Sequence, residues 1–516
     1  MTLPLDLLMF AALIGCILMG FPVSFSISGI AIIFAFLGWL TGTMDISLLG
    51  ALGQRVFGVL TNSVLIAIPL FVFMGVVLEK SRIAEELLET MGQLFGGLRG
   101  GLGLSVVIVG AMLAASTGIV GATVIAMGLI ALPTMLRSGY NPRLASGIVC
   151  TSGTLGQIIP PSTLLIILSD VMSNSFQQAQ YAQGKFNIET ISVGQIFAGA
   201  LLPGFMLVSI YIIYILLRAW FIPTDAPAAT DLMEKPSREA IFTAVVPPIL
   251  LIIAVLGAIL GGVATPTEAA SVGAMGALLM AGHRSGGSVK LILFGAAALF
   301  FLGIAAGIAP VRFQRNDLEI TDFLLGGVYI ILAIIGVAAI IVSLSRAWRS
   351  GILLPAMTQT MTVTSMIFAT IVTASIFSLV FIGLGGEERV EEFLGLMPGG
   401  PQGALLFCMV LIFVLGFFLD FVEITVILLP LIIPPLILMG HDPYWLAILV
   451  AINLQTSFLT PPFGFSLFYL RGAAPKEITT GMIYAGVAPF IGLQLLGMMI
   501  IWFVPSIANW LPTVLY

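Results

Sequence analysis

Apolar residues fall in long blocks separated by short polar segments: near 4–20, 23–41, 46–61, 63–79, 101–136, 144–170, 193–222, 241–282, 291–311, 323–345, 353–384, 402–440, 444–471 and 478–508. A helix that crosses a bilayer needs roughly 20 apolar residues, so most blocks predict one crossing. Blocks 101–136 and 402–440 are too long for one helix. Each has a weak point near its middle, AASTGIVGAT (Ala114 to Thr123) and FFLDFVEIT (Phe417 to Thr425). Either is two full spans or a helical hairpin that dips halfway into the membrane and returns. Block 144–170 carries CTSGTLGQIIPPSTLLIILS from Cys150 to Ser169, apolar enough for lipid yet broken by two glycines, adjacent prolines and a run of hydroxyls.

Basic residues choose between the alternatives, because cytoplasmic loops collect Lys and Arg. With 101–136 as a re-entrant hairpin, Arg99, Arg137 and Arg143 share one side, the inside. Block 144–170 then crosses to an outer loop, 171–192, whose one basic residue is Lys185. Later returns bring Arg218, Lys235 and Arg238, then His283, Arg284 and Lys290, then Arg346 and Arg349 to the inside. The next crossing reaches an acidic outer loop, EERVEEF (Glu387 to Phe393). With 402–440 also re-entrant, GHDP (Gly440 to Pro443) opens outside, and Arg471 and Lys476 end inside. Arg312 and Arg315 fall outside, among Asp317, Glu319 and Asp322. This pattern assigns no side to the first 80 residues.

Sliding the chain against itself by 301 residues lays Pro133, Gly139, Pro142, Pro160 and Pro161 on Pro434, Gly440, Pro443, Pro461 and Pro462. Each half reads as hairpin, short turn, then a helix broken near mid-membrane, and the two hairpin mouths face opposite sides. That is an inverted repeat with two broken helices, the mark of a secondary transporter. Unwound backbone in lipid costs several kcal/mol per unsatisfied group, so it persists where protein, water or ions satisfy it. The break exposes carbonyl oxygens that suit a hard cation, and amide N–H groups and a half-helix N-terminus that suit a carboxylate. One Pro-Pro pair alone reads as a kink in a packed span. Two pairs at one offset, each preceded by Thr, Ser, Asn or Gln, read as a site.

Composition agrees. The 516 residues are 59% hydrophobic and 8% charged, against about 25% charged in soluble domains, which makes this an all-α polytopic membrane protein. No segment is long and polar enough for a separate soluble domain. The net charge of −5 argues against nucleic acid. MTLPLDLLMF lacks the basic start of a cleaved signal peptide. Cys16, Cys150 and Cys408 sit in apolar runs as small buried residues, His283 and His441 lie beside glycines at span ends, and no nucleophile, zinc or phosphate-loop motif is present. The chain is not expected to be an enzyme or to hold a cofactor. Ionisable residues inside spans are functional candidates: Asp420, with Glu423 three residues on, either holds a cation or caps the returning half-helix, and Glu268 in ATPTEAAS caps a helix start.

At these motifs the sequence resembles the large membrane subunit of tripartite ATP-independent periplasmic (TRAP) transporters. The resemblance covers nearly the whole chain and rests on GFPVSFS (Gly20 to Ser26), IPLFVFMG (Ile68 to Gly75), AASTGIVGAT, TSGTLGQIIPPS, TPTEAAS and the DFVEIT…TPPFG pair. It implies an elevator mechanism in the bacterial inner membrane, with sodium as the coupling ion. It also implies an organic-acid substrate brought by a periplasmic solute-binding protein, and a separate small four-span membrane subunit. By position, the first sodium site would use Ser116, Thr117 and Gly118 with Thr151, Ser152, Gly153 and Thr154; the second, Asp420 with Asn453, Gln455 and Thr456. The substrate would lie between the breaks, near Gly156, Gln157, Pro160, Pro161, Ser457, Thr460, Pro461 and Pro462. The implied organisation is scaffold helices in 1–92, a first transport repeat in 93–192, and scaffold helices in 193–288. An added pair of spans in 289–346 and a span in 347–398 lead to the second transport repeat in 399–472 and a C-terminal helix in 473–516. The rival readings are an elevator symporter that works without a binding protein, and a channel. Hydroxyl- and carbonyl-rich breaks with few titratable groups favour sodium over protons.

Overall fold

The computed structural model describes residues 4–117, 120–229, 236–286, 290–311 and 320–516. Gly118, Lys235, Arg312 and Arg315 lie outside the described residues, as do Asp317 and Glu319. The described residues are helical, with no strand among them. The chain opens with α1 (Leu5–Leu18), α2 (Val23–Leu40), a 3-10 turn (Ile46–Ala51), α3 (Leu52–Leu60), α4 (Ala67–Lys80) and α5 (Ile83–Phe95). The first hairpin is α6 (Gly101–Thr117) and α7 (Val120–Arg137), followed by α8 (Pro142–Thr154) and α9 (Thr163–Ala182). Then come α10 (Val193–Phe221), α11 (Arg238–Ala244), α12 (Val246–Leu260), α13 (Pro266–Arg284), α14 (Lys290–Ile308), α15 (Ile320–Arg349), α16 (Leu353–Gly383) and α17 (Gly386–Gly395). The second hairpin is α18 (Gly400–Leu415), then α19 (Phe421–Glu423), a π turn (Ile424–Leu428) and α20 (Leu429–Leu438). The chain closes with α21 (Pro443–Leu459), α22 (Phe465–Ala473), α23 (Thr480–Phe503) and α24 (Ser506–Leu515). Among the described residues, nine helical segments are long and apolar enough to cross a membrane.

The turns at the hairpin mouths are built alike. Helices α7 and α20 each stop two residues before a glycine with positive φ, Gly139 at 81° and Gly440 at 95°, a conformation that glycine adopts without a Cβ clash. Asn141 and Asp442 then cap α8 and α21 by accepting the N–H of Arg143 and Trp445, each with proline in the first helical position.

Packing is reciprocal between the halves: α7 lies on α22 and α20 on α9, while α8 lies on α23 and α21 on α10. Helices α8 and α23 approach closely at two glycines: a Cβ on Gly147 would stand 2.2 Å from the Gly486 carbonyl oxygen, and one on Gly486 2.0 Å from the Arg143 carbonyl oxygen. Helices α14 and α15 pair with each other and with α13.

Polar ties join segment ends. Helix α17 takes part in two, Asp6 with Arg389 and Gln178 with Glu387, and His441 Nε2 meets the Pro401 carbonyl at 3.0 Å. Asp225 binds both Arg218 at 2.7 Å and Asn141 Nδ2 at 2.8 Å, and Arg284 pairs with Glu86.

Three sequence expectations need correction. Residues 171–192 are not a loop throughout: α9 continues to Ala182, because no glycine or proline interrupts it before Gly184. The remainder folds back, with the Gln180 amide donating to the Glu189 carbonyl at 2.9 Å and accepting the Glu189 N–H at 2.9 Å. The acidic stretch from Glu387 is helix α17, whose Leu394 is buried and whose Arg389 pairs with Asp6. The C-terminal segment is two helices, α23 and α24, parted at Val504 and Pro505, where proline cannot continue the helix.

Candidate functional site

Both predicted breaks are present. After α8 a 3-10 turn (Leu155–Gln157) gives way to non-helical backbone through Ser162, and Pro160–Pro161 is a cis peptide. After α21 the chain is non-helical from Thr460 to Gly464, and Pro461–Pro462 is also cis. Local hydrogen bonds hold the gaps: Ser162 Oγ donates to the Gln157 carbonyl at 3.0 Å, and Ser466 Oγ donates to the Phe458 carbonyl at 2.7 Å.

The polar residues before each break are buried, apart from the half-buried Thr460, and five of their hydroxyls turn back on their own helices. Ser152 donates to Ile148 O, Thr154 to Thr151 O, Thr456 to Ile452 O, Ser457 to Leu454 O and Thr460 to Thr456 O, at 2.6–2.9 Å. A hydroxyl that has donated its proton keeps oxygen lone pairs for a cation or another donor. Asn453 Nδ2 donates to the Met409 carbonyl at 2.7 Å, tying α21 to the first arm of the second hairpin. Gln455 Nε2 donates to Thr154 Oγ1 at 3.4 Å, joining the two repeats at equivalent positions.

Several buried polar atoms here have no partner among the described residues: both amide atoms of Gln157, Gln455 Oε1, Thr151 Oγ1 and Thr163 Oγ1. Gln157 is wholly buried. A buried polar group without a hydrogen bond costs about 1–3 kcal/mol, so such a cluster marks a place built for something besides packing.

The glycines serve close approach. A Cβ on Gly153 would stand 2.3 Å from Val124 Cγ2, so its absence lets α8 touch α7. Gly416 does the same for the second hairpin, where a Cβ would be 2.1 Å from Ser457 Oγ. Gly156 is buried in the 3-10 turn. Ser116 and Thr117 close α6, and Gly118 follows outside the described residues.

Asp420 forms a capping box. Its Oδ1 accepts the Phe421 N–H at 2.8 Å, and Glu423 Oε2 accepts the Asp420 N–H at 3.0 Å. Among the described residues, no hydrogen bond joins Asp420 to Asn453, Gln455 or Thr456. Glu268 likewise completes a capping box with Thr265. Sequence reasoning missed Asp170, a carboxylate at the end of an apolar block, whose Oδ1 accepts from Asn62 Nδ2 at 2.8 Å. Its position alone was a signal, since charges in such blocks are rare. No group of three or more His, Cys, Asp or Glu that could hold a metal occurs among the described residues. The oxygen donors are hydroxyls, amides and carbonyls, which suit a hard cation.

A polytopic helical protein with paired broken helices and buried, unpartnered amides is a membrane permease. Residues 10–292 and 299–507 match the family described as tripartite ATP-independent periplasmic transporter, DctM component, and the chain belongs to that family. The match is interrupted at 293–298, inside α14, the first helix of the pair expected as an addition. The chain is similar to the C4-dicarboxylate TRAP transporter large permease protein DctM of Vibrio cholerae, 27% identical, covering 98% of this chain and 97% of that one. It is also similar to the ectoine TRAP transporter large permease protein TeaC of Halomonas elongata, 24% identical over 98% of each. In fold it resembles the YdaH transporter of Alcanivorax borkumensis, with a TM-score of 0.55, 16% identity and 90% of each chain covered. It is a multi-pass inner-membrane protein, and its family relatives are named as transporter permeases, not enzymes.

Proposed function

We propose that this chain is the permease subunit of a sodium-coupled importer of an organic acid, which a periplasmic binding protein delivers and a small four-span subunit helps to carry. The observation that carries the reading is the junction of the breaks: Gln455 meets Thr154, and the Gln157 amide and Gln455 Oε1 are buried without partners beside two Pro-Pro gaps. Amide N–H groups and half-helix N-termini there suit a carboxylate, and hydroxyl and carbonyl oxygens suit sodium. Asn141, beside the first hairpin mouth, shares Asp225 with Arg218, which fits that mouth on the side that the basic residues mark as inside. Reciprocal packing of hairpins and broken helices fits a unit that slides as one body along a scaffold, the elevator arrangement. The names of relatives point to dicarboxylates and ectoine as the range of solutes.

The test is uptake into liposomes holding the chain and its small subunit, with loaded binding protein outside. Uptake is expected only under an inward sodium gradient. An equal rate under a proton gradient in sodium-free buffer overturns sodium coupling. Full uptake without binding protein overturns the tripartite reading in favour of a stand-alone symporter.

A further inference from the structure

We propose that a cavity around Arg55 is an outer subsite that holds a carboxylate of the solute before it reaches the two breaks; this rests on the reading of the chain as an organic-acid permease. The cavity measures about 230 Å³, and its polar lining comes from three helices. Helix α3 supplies Arg55, α9 supplies Asp170, Asn174, Ser175 and Gln178, and α16 supplies Ser375 and Ser378. Asp170, Asn174 and Gln178 are spaced by four, so they form one stripe along the helix.

Arg55 is half-buried and makes no hydrogen bond or ion pair with a described residue. The nearby carboxylates are otherwise engaged. Asp170 accepts from Asn62 at 2.8 Å and from Asn174 at 3.4 Å, and Glu387 accepts from Gln178 while acting on Arg55 only through space. A half-buried guanidinium whose donors make no hydrogen bond is costly even with Glu387 acting on it through space, and a carboxylate is the partner that its planar fork of donors fits. Ser378 and the second amide N–H of Asn174 add donors for the same group, while Ser375 donates to the Val372 carbonyl at 2.7 Å. A cation is disfavoured beside Arg55.

Position supports this role. Asp170 is eight residues beyond Ser162, so the stripe begins about 12 Å along α9 from the first break. Gln178 and Arg55 both lie near Glu387 of α17, on the side that the basic-residue pattern makes the outside. Helix α9 belongs to the first transport repeat, α3 to the expected scaffold, and α16 to the span expected to lead into the second repeat. A solute held here touches all three before it moves.

The experiment uses the full chain in right-side-out membrane vesicles, with Cys16, Cys150 and Cys408 replaced by alanine and Ser378→Cys as reporter. Labelling rates are compared for an anionic and a cationic methanethiosulfonate of similar size. With Arg55 present, the anionic-to-cationic rate ratio is expected to exceed that of Arg55→Gln by about tenfold, as a nearby charge dictates. Arg55→Lys should keep most of the bias, which separates charge from misfolding. Disodium succinate should slow labelling with Arg55 and not with Arg55→Gln, whereas sodium chloride of equal ionic strength should not. An unchanged ratio in Arg55→Gln, no labelling from outside, or equal protection by chloride overturns the proposal. The assay needs neither a sodium gradient nor binding protein, so its failure and the failure of sodium-driven uptake are separate results.

Discussion

Gln455 donates a hydrogen bond to Thr154 at 3.4 Å, and the two residues are 301 positions apart, the same offset that superposes the prolines of the two halves. Equivalent residues of a repeat touch where a pseudo-two-fold axis passes between them. Here the pair is unlike, an amide against a hydroxyl, so the contact has a direction that two identical residues would not impose.

Gln157 is wholly buried with neither amide atom bonded to a described residue. If the amide only packed, Gln157→Leu would remove an unsatisfied group and leave stability equal or higher. We expect the melting temperature to be unchanged or raised while the solute concentration for half-maximal uptake rises at least about tenfold, a loss of roughly 1.4 kcal/mol of binding. Uptake with unaltered affinity would assign Gln157 to packing.

If the proposed elevator operates, α7, α9 and α22 move together. An ideal Cβ at Gly128 in α7 stands 3.2 Å from Ala473 Cβ in α22, close enough for cysteines there to be linked with a small adjustment. Linking Gly128→Cys to Ala473→Cys should leave most uptake intact. Linking Asn62→Cys to Asp170→Cys, which joins the segment before α4 to α9, should stop uptake until a reductant is added. Equal loss in both would show that the hairpin and the opposite broken helix move against each other.

Asp420→Asn keeps the cap, because Asn and Asp are comparable in that position. A residue that also holds sodium loses a full charge from a water-poor site, so half-maximal uptake should need at least about tenfold more sodium at normal expression. An unchanged sodium dependence would leave Asp420 as the cap seen in its bond to Phe421.

Burial, with the neighbouring carboxylates of Glu391 and Glu388, raises the pKa of Glu387 above the usual glutamate value, against the opposing effects of Arg55 and Gln178. A carboxyl whose folded pKa is raised binds its proton more readily folded than unfolded. Its favourable contribution is present below the unfolded pKa and is lost as pH rises through the folded one. Glu387→Gln should therefore match the parent melting temperature at about pH 4 and exceed it at neutral pH. Identical melting curves at both values would contradict this assignment.

The breaks were legible because proline leaves a local mark: Pro160, Pro161, Pro461 and Pro462 stand where the helices stop. The helix pairs α6–α7 and α18–α20 were legible from block length and from the weak point inside each block. The box at Asp420 was also visible, as DFVE. Helices α17 and the end of α9 were hidden because their charged and amide side chains lower hydropathy without lowering helical propensity. Asp6 with Arg389, and Asn62 with Asp170, were out of reach because they join segments 383 and 108 residues apart. The surroundings of Arg55 were hidden for the same reason, since no spacing in one segment brings α3, α9 and α16 together.

The hydroxyls of Ser152, Thr154, Thr456, Ser457 and Thr460 each hand their proton to a carbonyl of their own helix. Their orientation is thus locked by backbone, not by whatever arrives. None of the five changes charge across the acidity range of natural waters. Whatever these oxygens hold therefore meets the same set of lone pairs, in the same orientation, in acidic and in alkaline surroundings.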